Sequence, residues 1–197
     1  MGLSNDSAGN RTFLKISDGK VAKRCDQSTP NAVEQTKSDG SKFYELHYSS
    51  VSGMIRDVKK RVHNFGTDLC ITIEDKGDVF ELQMPWSSRY SSGFFNRMPN
   101  IDVSKPVKFT PWMKVEDGKK KTALYLRQDD EDIDFFWTKA NPGGCPPMVQ
   151  ITVKGQKVWD DTERQEFYEK YLVDVFVPKL NGVTVEETST PDDDLPF

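Results

Sequence analysis

The sequence predicts a mainly β chain with one helix near its C-terminal end and an acidic tail beyond it. Short segments that alternate apolar and polar residues recur between residues 51 and 139, separated by tight turn signals. A single run at helical spacing, Phe167, Tyr168, Tyr171, Leu172 and Val175, follows after a Pro- and Gly-rich break at 141–147. Beyond Gly182 the composition shifts to Thr, Ser, Glu, Pro and Asp, which cannot form a packed core. The expected organisation is an N-terminal extension over 1–50, a β domain with an added strand and helix over 51–180, and a flexible acidic tail over 181–197.

Residues 1–10 are small and polar, a composition that predicts disorder. Thr12–Ile16 and Lys20–Arg24 flank Asp18-Gly19 and read as a hairpin. Asp26–Ser41 reads as loop and Lys42–Tyr48 as a returning strand. The repeated strands follow: Met54–Val62, Leu69–Glu74, Val79–Trp86, Pro106–Val115 and Thr122–Gln128, with Ile133–Thr138 continuing or following the last. Asn64-Phe65-Gly66, Asp75-Lys76-Gly77-Asp78 and Glu116-Asp117-Gly118 supply the turns. The longer connection 87–103 has room for a short helix over Tyr90–Met98. Three strands, a connection with a helix, then two strands is the order of the OB-fold, a five-stranded Greek-key barrel. Val149–Val153 adds a strand, Thr162 and Gln165 have capping-box spacing, and Pro178 is the expected helix stop.

Composition narrows the function classes. The 197 residues carry 27 bases and 31 acids, a formal charge of -4. Five of the acids lie in residues 186–197, where there is no base, so the rest of the chain holds 26 acids against 27 bases. An acidic tail can thus hide a nucleic-acid-binding body behind a pI near 5.3. No apolar run reaches bilayer-spanning length and no signal-peptide stretch opens the chain, which predicts a cytoplasmic protein without membrane contact. Cys25, Cys70 and Cys145 are odd in number and widely spaced, as expected of reduced thiols.

Binding single strands without reading sequence requires a basic groove and exposed aromatic platforms. In Val107–Val115 the odd positions Val107, Phe109, Met113 and Val115 should face the core, leaving Lys108, Thr110, Trp112 and Lys114 on the other face. Base stacking accounts for a Trp between two lysines; core packing, should Pro111 shift the register, or a partner contact are the alternatives. In the next strand Leu124 and Leu126 alternate with Tyr125 and Arg127, so Tyr125 is the second stacking candidate, against packing beneath a neighbouring element. Lys119, Lys120 and Lys121 occupy the intervening loop, either as phosphate contacts or as a solvated hairpin tip. Arg56 and Lys59 of the first strand and Arg89 before the short helix complete the candidates, while Trp86 shares its parity with Phe80, Leu82 and Met84 and is expected in the core. At least one of Phe135, Phe136 and Trp137 should be exposed.

The chain closes on Asp192-Asp193-Asp194-Leu195-Pro196-Phe197, three carboxylates before an apolar aromatic tip. Such a segment cannot be buried without desolvating unpaired acids, and instead suits an apolar pocket with a basic rim. It resembles the acidic tip of bacterial and phage single-stranded DNA-binding proteins. That resemblance implies an OB-fold body that coats single-stranded DNA and a tail that recruits replication, recombination and repair proteins. It further implies that Phe197 enters a partner's pocket while Asp192–Asp194 meet its rim, and it admits a homo-oligomer. The N-terminal fifty residues and the helix suggest a divergent member of the kind phages encode, which would place the protein in a bacterial host's cytoplasm. The charge asymmetry adds the expectation that the tail folds back on the basic groove in the absence of DNA.

Catalysis is not predicted. Asp129-Asp130-Glu131-Asp132-Ile133-Asp134 is contiguous with no second carboxylate cluster to meet it, and reads as a solvated turn rather than a metal site. His47 and His63 lack metal-ligand spacing, and neither a phosphate-binding glycine loop nor a nucleophile elbow is present. The expectation is a protein without cofactor or metal. The alternatives are a protein–protein adaptor whose barrel binds protein, and an RNA-binding protein on the same barrel.

Overall fold

The computed structural model describes residues 11–182. Ten strands form one sheet and two more form a separate hairpin. The first four are β1 (Arg11–Ser17), β2 (Lys20–Cys25), β3 (Val33–Thr36) and β4 (Lys42–Tyr48). Next come β5 (Val51–His63), β6 (Gly66–Asp75) and β7 (Asp78–Pro85), then α1 (Arg89–Phe95) and a short 3-10 turn at Met98–Asn100. The series continues with β8 (Val107–Glu116), β9 (Lys119–Gln128), the two-residue β10 (Glu131–Asp132), and the separate hairpin β11 (Val149–Val153) and β12 (Gln156–Asp160). α2 (Thr162–Tyr171) runs through a π-helical segment, Leu172–Phe176, into a last turn at Val177–Leu180.

The sheet order is β10-β9-β8-β5-β6-β7-β1-β2-β4-β3. Its middle, β9-β8-β5-β6-β7, is the neighbour order of the five expected strands, but the sheet does not close into a barrel. Closure would pair β7 with β9, and both edges are already taken. β1 lies parallel to β7, with Arg11 opposite Val79 and Leu14 opposite Leu82, so β1–β4 extend the sheet. On β9, Arg97 donates to the Leu124 carbonyl at 3.2 Å and the Ile133 amide to the Leu126 carbonyl at 2.8 Å. With its carbonyls used this way, β9 cannot offer a ladder to β7.

β5 joins the two halves of the sheet. Val51–Gly53 pair with β8, whereas Met54–His63 pair with β6, with a bulge between Ile55 and Asp57. Gly53 marks the switch at φ +155°, where a Cβ would lie 2.4 Å from the Glu74 carbonyl oxygen. Only glycine permits that backbone approach.

The core lies between the sheet and the helices. Leu69, Ile71 and Ile73 of β6, Phe109 of β8, Leu124 and Leu126 of β9 and Phe94 and Phe95 of α1 are buried together with Tyr168, Leu172 and Phe176. Trp86 is buried as its parity predicts, its ring 4.7 Å from that of Phe95. Trp137 is also buried, between Phe167 at 5.0 Å and Tyr171 at 4.9 Å.

Four local expectations are corrected. Ile133–Thr138 forms no strand; the chain turns inward to seat Trp137 on α2 instead of extending the sheet. β3 lies within the stretch read as loop, and β12 was not foreseen, because Val33–Thr36 and Gln156–Asp160 carry few apolar residues and pair as sheet edge and isolated hairpin. Asp161 rather than Thr162 is the N-cap, and the Gln165 side chain donates back to it at 2.8 Å. Pro178 does not stop the helix: it follows the π segment, where the α ladder is already interrupted.

Candidate nucleic-acid interface

β8 and β9 pair without a register shift from Lys108–Arg127 to Glu116–Lys119, so Pro111 introduces no bulge. Pro111 is buried, and the alternation holds from Val107 to Trp112; beyond it the hairpin end leaves the core, so Met113 is only half-buried and Val115, expected inside, is exposed. Val107 and Phe109 point inward with Leu124 and Leu126. Lys108, Thr110, Trp112 and Lys114 stand on the opposite face, beside Arg127, Tyr125, Ala123 and Lys121 respectively. Trp112 is 40% exposed and Tyr125 41%.

That face has a symmetric charge pattern. At one end Lys108 is opposite Arg127, and at the other Lys114 is opposite Lys121, with the two aromatics between them. Like charges directly across an antiparallel pair oppose folding. Glu116 offsets the Lys114–Lys121 end and Asp132 offsets Arg127, which leaves Lys108 without an acidic partner among the described residues. From position 108 to 114 the strip runs about 20 Å at ~3.4 Å per residue.

The cations differ in their partners. Arg127 is held by Asp132 at 2.6 Å, and Lys114 and Lys121 share Glu116, 3.3 Å from the Lys114 ammonium. Glu116 is held below the usual carboxylate range, first by its hydrogen bond from Lys121 and then by Lys114. Lys120 pairs with Asp18 in the β1–β2 turn at 2.6 Å. Lys108 and Lys119 make no ion pair with a described residue.

The N-terminal strands brace this platform. Gly19 sits at φ +75° behind β8, where a Cβ would lie 2.6 Å from the Met113 amide nitrogen and 3.0 Å from the Trp112 carbonyl carbon. The β1–β2 turn therefore backs the strand that carries Trp112.

Arg56 and Lys59 do not join the Trp112 face. They lie on the β5–β6 ribbon, where Arg56 pairs with Glu74 at 2.9 Å and Lys59 stands opposite Cys70 with Asp57 at 3.5 Å. Arg89 does approach the site, for it lines with Tyr125 a cleft of about 580 Å³ between β9, α1 and the start of α2. Of the three adjacent aromatics, Phe135 and Phe136 are exposed, and Phe135 lines that same cleft.

Sequence reasoning missed four exposed aromatics, among them Tyr48 at the end of β4. Phe65 is 96% exposed at the β5–β6 tip, Phe13 projects from β1, and Trp159 of β12 is 63% exposed on the cleft wall. The position of Phe65 inside a turn signal was the available clue; Trp159 lacked one because β12 itself was not recognised. Among the described residues no group of three or more His, Cys, Asp or Glu converges on a metal-sized site, and Asp129 and Asp132 of the acidic run are ion-paired to Lys105 and Arg127. Among those residues, no helix is long and apolar enough to cross a membrane. Asp192, Asp193, Asp194, Leu195, Pro196 and Phe197 lie outside the described residues.

Comparison with family models, with curated proteins and with solved structures gives no match to this chain.

Proposed function

We propose that the protein binds single-stranded DNA without strong sequence preference and performs no catalytic step. One observation carries the reading: Trp112 and Tyr125 share an exposed face whose two ends are like-charged cross-strand pairs, Lys108–Arg127 and Lys114–Lys121. Bases stack on the aromatics, for roughly 1–3 kcal/mol each; phosphates pair with Lys108 and share Lys114, Lys121 and Arg127 with the acids that hold them. Stacking tolerates any base because every base has a π face. Lys119 at the hairpin tip extends the phosphate track on the same face, whereas Lys120 shares the parity of Leu124 and Leu126 and is held by Asp18 on the other face. The strands β9-β8-β5-β6-β7 act as an opened variant of the OB arrangement, with β1 in place of the closing pair.

Residues 192–197 act separately, as a tethered ligand for replication or repair proteins. Support for this part comes from the sequence pattern of three acids before Leu-Pro-Phe.

The test is a titration of labelled poly-dT, poly-U and duplex DNA of equal length at two salt concentrations. Salt-sensitive binding of poly-dT over duplex supports the reading, with preference for poly-U marking RNA as the ligand. Binding of neither single strand at low salt overturns it and leaves the platform as a protein-docking face.

A further inference from the structure

The cleft behind Tyr125 has a chemistry that stacking on an open sheet face does not require. At its floor is Arg97, 9% exposed, whose Nε donates to the Ile133 carbonyl at 2.6 Å. Its Nη1 donates to the carbonyls of Gly93 at 2.9 Å and Leu124 at 3.2 Å, while Nη2 has no hydrogen-bond partner among the described residues. No described carboxylate lies within ion-pair distance of this guanidinium. A buried cation whose hydrogen bonds all go to neutral carbonyls, with Asp132 and Asp134 acting on it only from beyond ion-pair distance and Nη2 unpartnered among the described residues, favours an anion beside it.

The walls add charge and rings. Arg89 and Arg164 also line the cleft, whereas Asp161 is its one acidic residue. The Phe135 ring lies 4.0 Å from the Arg97 guanidinium carbon yet remains half exposed, and Trp159 stands on the wall with most of its indole uncovered. A volume near 580 Å³ falls within the roughly 300–1,000 Å³ of small-molecule sites. Cations at the floor and open aromatic faces on the walls match a ligand with a phosphate at one end and a planar ring at the other.

We propose that this cleft binds one nucleoside monophosphate unit, with its phosphate on Arg97 and Arg89 and its base between Phe135 and Trp159. The unit comes either from a strand lying on the Trp112 face or from free nucleotide. The first source rests on the single-strand reading above; the second does not. Tyr125 lines the cleft and also belongs to the platform, so a strand crossing β9 reaches the cleft without a break.

The test is calorimetric titration of the full chain with thymidine 5′-monophosphate, thymidine and inorganic phosphate at low salt, in parallel with a poly-dT titration. One saturable site is expected for the monophosphate, with thymidine and phosphate each at least about tenfold weaker because each lacks one half of the contacts. R89A and W159A, at surface positions, should each weaken the monophosphate about five- to tenfold, while W112A should weaken poly-dT alone. Displacement of the monophosphate by poly-dT identifies a strand nucleotide as occupant, and its retention identifies free nucleotide. Monophosphate binding without poly-dT binding sustains the cleft and removes the single-strand reading. Poly-dT binding with no monophosphate site, equal binding of inorganic phosphate, or insensitivity to both R89A and W159A overturns the cleft alone. A peptide of residues 186–197 that saturates the cleft when the monophosphate does not would also overturn it, in favour of the chain's own tail.

Discussion

Trp112 of β8 and Tyr125 of β9 are diagonal neighbours on one face of the sheet: Trp112 stands opposite Ala123, and Tyr125 opposite Thr110. Such diagonal positions lie about 7–8 Å apart. The small residue across from each ring leaves it uncrowded, and both remain about two-fifths exposed. Neither ring belongs to the buried core, so each can be removed without opening a cavity.

W112A and Y125A should therefore each weaken poly-dT binding by about 1–3 kcal/mol, or roughly 5- to 150-fold, with melting temperature almost unchanged. Fluorescence anisotropy at fixed salt, alongside a thermal melt, measures both. Loss of affinity accompanied by a large fall in melting temperature would show that the rings are structural.

The ion pairs rank the lysines. Lys108 and Lys119 are free of ion pairs to described residues, whereas Lys120 is held by Asp18 and Lys121 by Glu116. Each phosphate contact contributes about -0.7 to the slope of log K against log salt for single strands. K108A and K119A should each flatten the slope by about that amount, and K120A and K121A by less. Equal slopes for all four variants would contradict the ranking.

Strand existence, the alternation that separates Trp112 from Phe109 and the burial of Trp86 were legible because an apolar-in, polar-out period of two leaves a strong trace. Sheet closure was not. Whether β7 pairs with β9 depends on Arg97 and Ile133 occupying carbonyls on β9 and on β1 arriving in parallel; Arg97 and Leu124 are 27 residues apart in sequence, and Arg11 stands opposite Val79. The cleft was illegible for the same reason: Arg97, Phe135 and Trp159 come from three separate segments, and none belongs to a local motif.

Gly19 ties the N-terminal hairpin to the binding strand. With φ at +75° and a Cβ position 2.6 Å from the Met113 amide nitrogen, G19A is both strained and sterically blocked. A loss of about 1–3 kcal/mol in unfolding free energy is expected, measured by urea denaturation. Because the displaced segment backs Trp112, poly-dT affinity should fall as well. An unchanged urea midpoint would show that the turn does not dock on β8 in solution.

Burial pushes the Cys70 thiol up to about 11 from its ordinary value of 9.0. Burial likewise raises the Cys145 thiol and the Tyr168 phenol. In each the neutral form is favoured by folding, so between about pH 9 and 11 the unfolded chain has lost protons that the native chain retains. By linkage, stability is full below pH 9 and declines above it, with Cys70 accounting for roughly 2–3 kcal/mol by pH 11. The check is urea unfolding at pH 8, 9.5 and 10.5 under reducing conditions. Stability that rises over this range would contradict the burial of these groups.

The charge asymmetry leads to a prediction about residues 186–197, whose five acids face a body of 26 acids and 27 bases. A tethered anion competes with phosphate for the same cations, and that competition is strongest where screening is weakest. Deleting 186–197 should therefore tighten poly-dT binding at low salt by several-fold and have little effect at high salt. The replacement D192N/D193N/D194N should reproduce most of the gain, while F197A should leave DNA affinity near wild type and disrupt only partner docking. If the deletion leaves affinity unchanged at low salt, the tail does not compete for the platform. Its acids would then act solely on a partner.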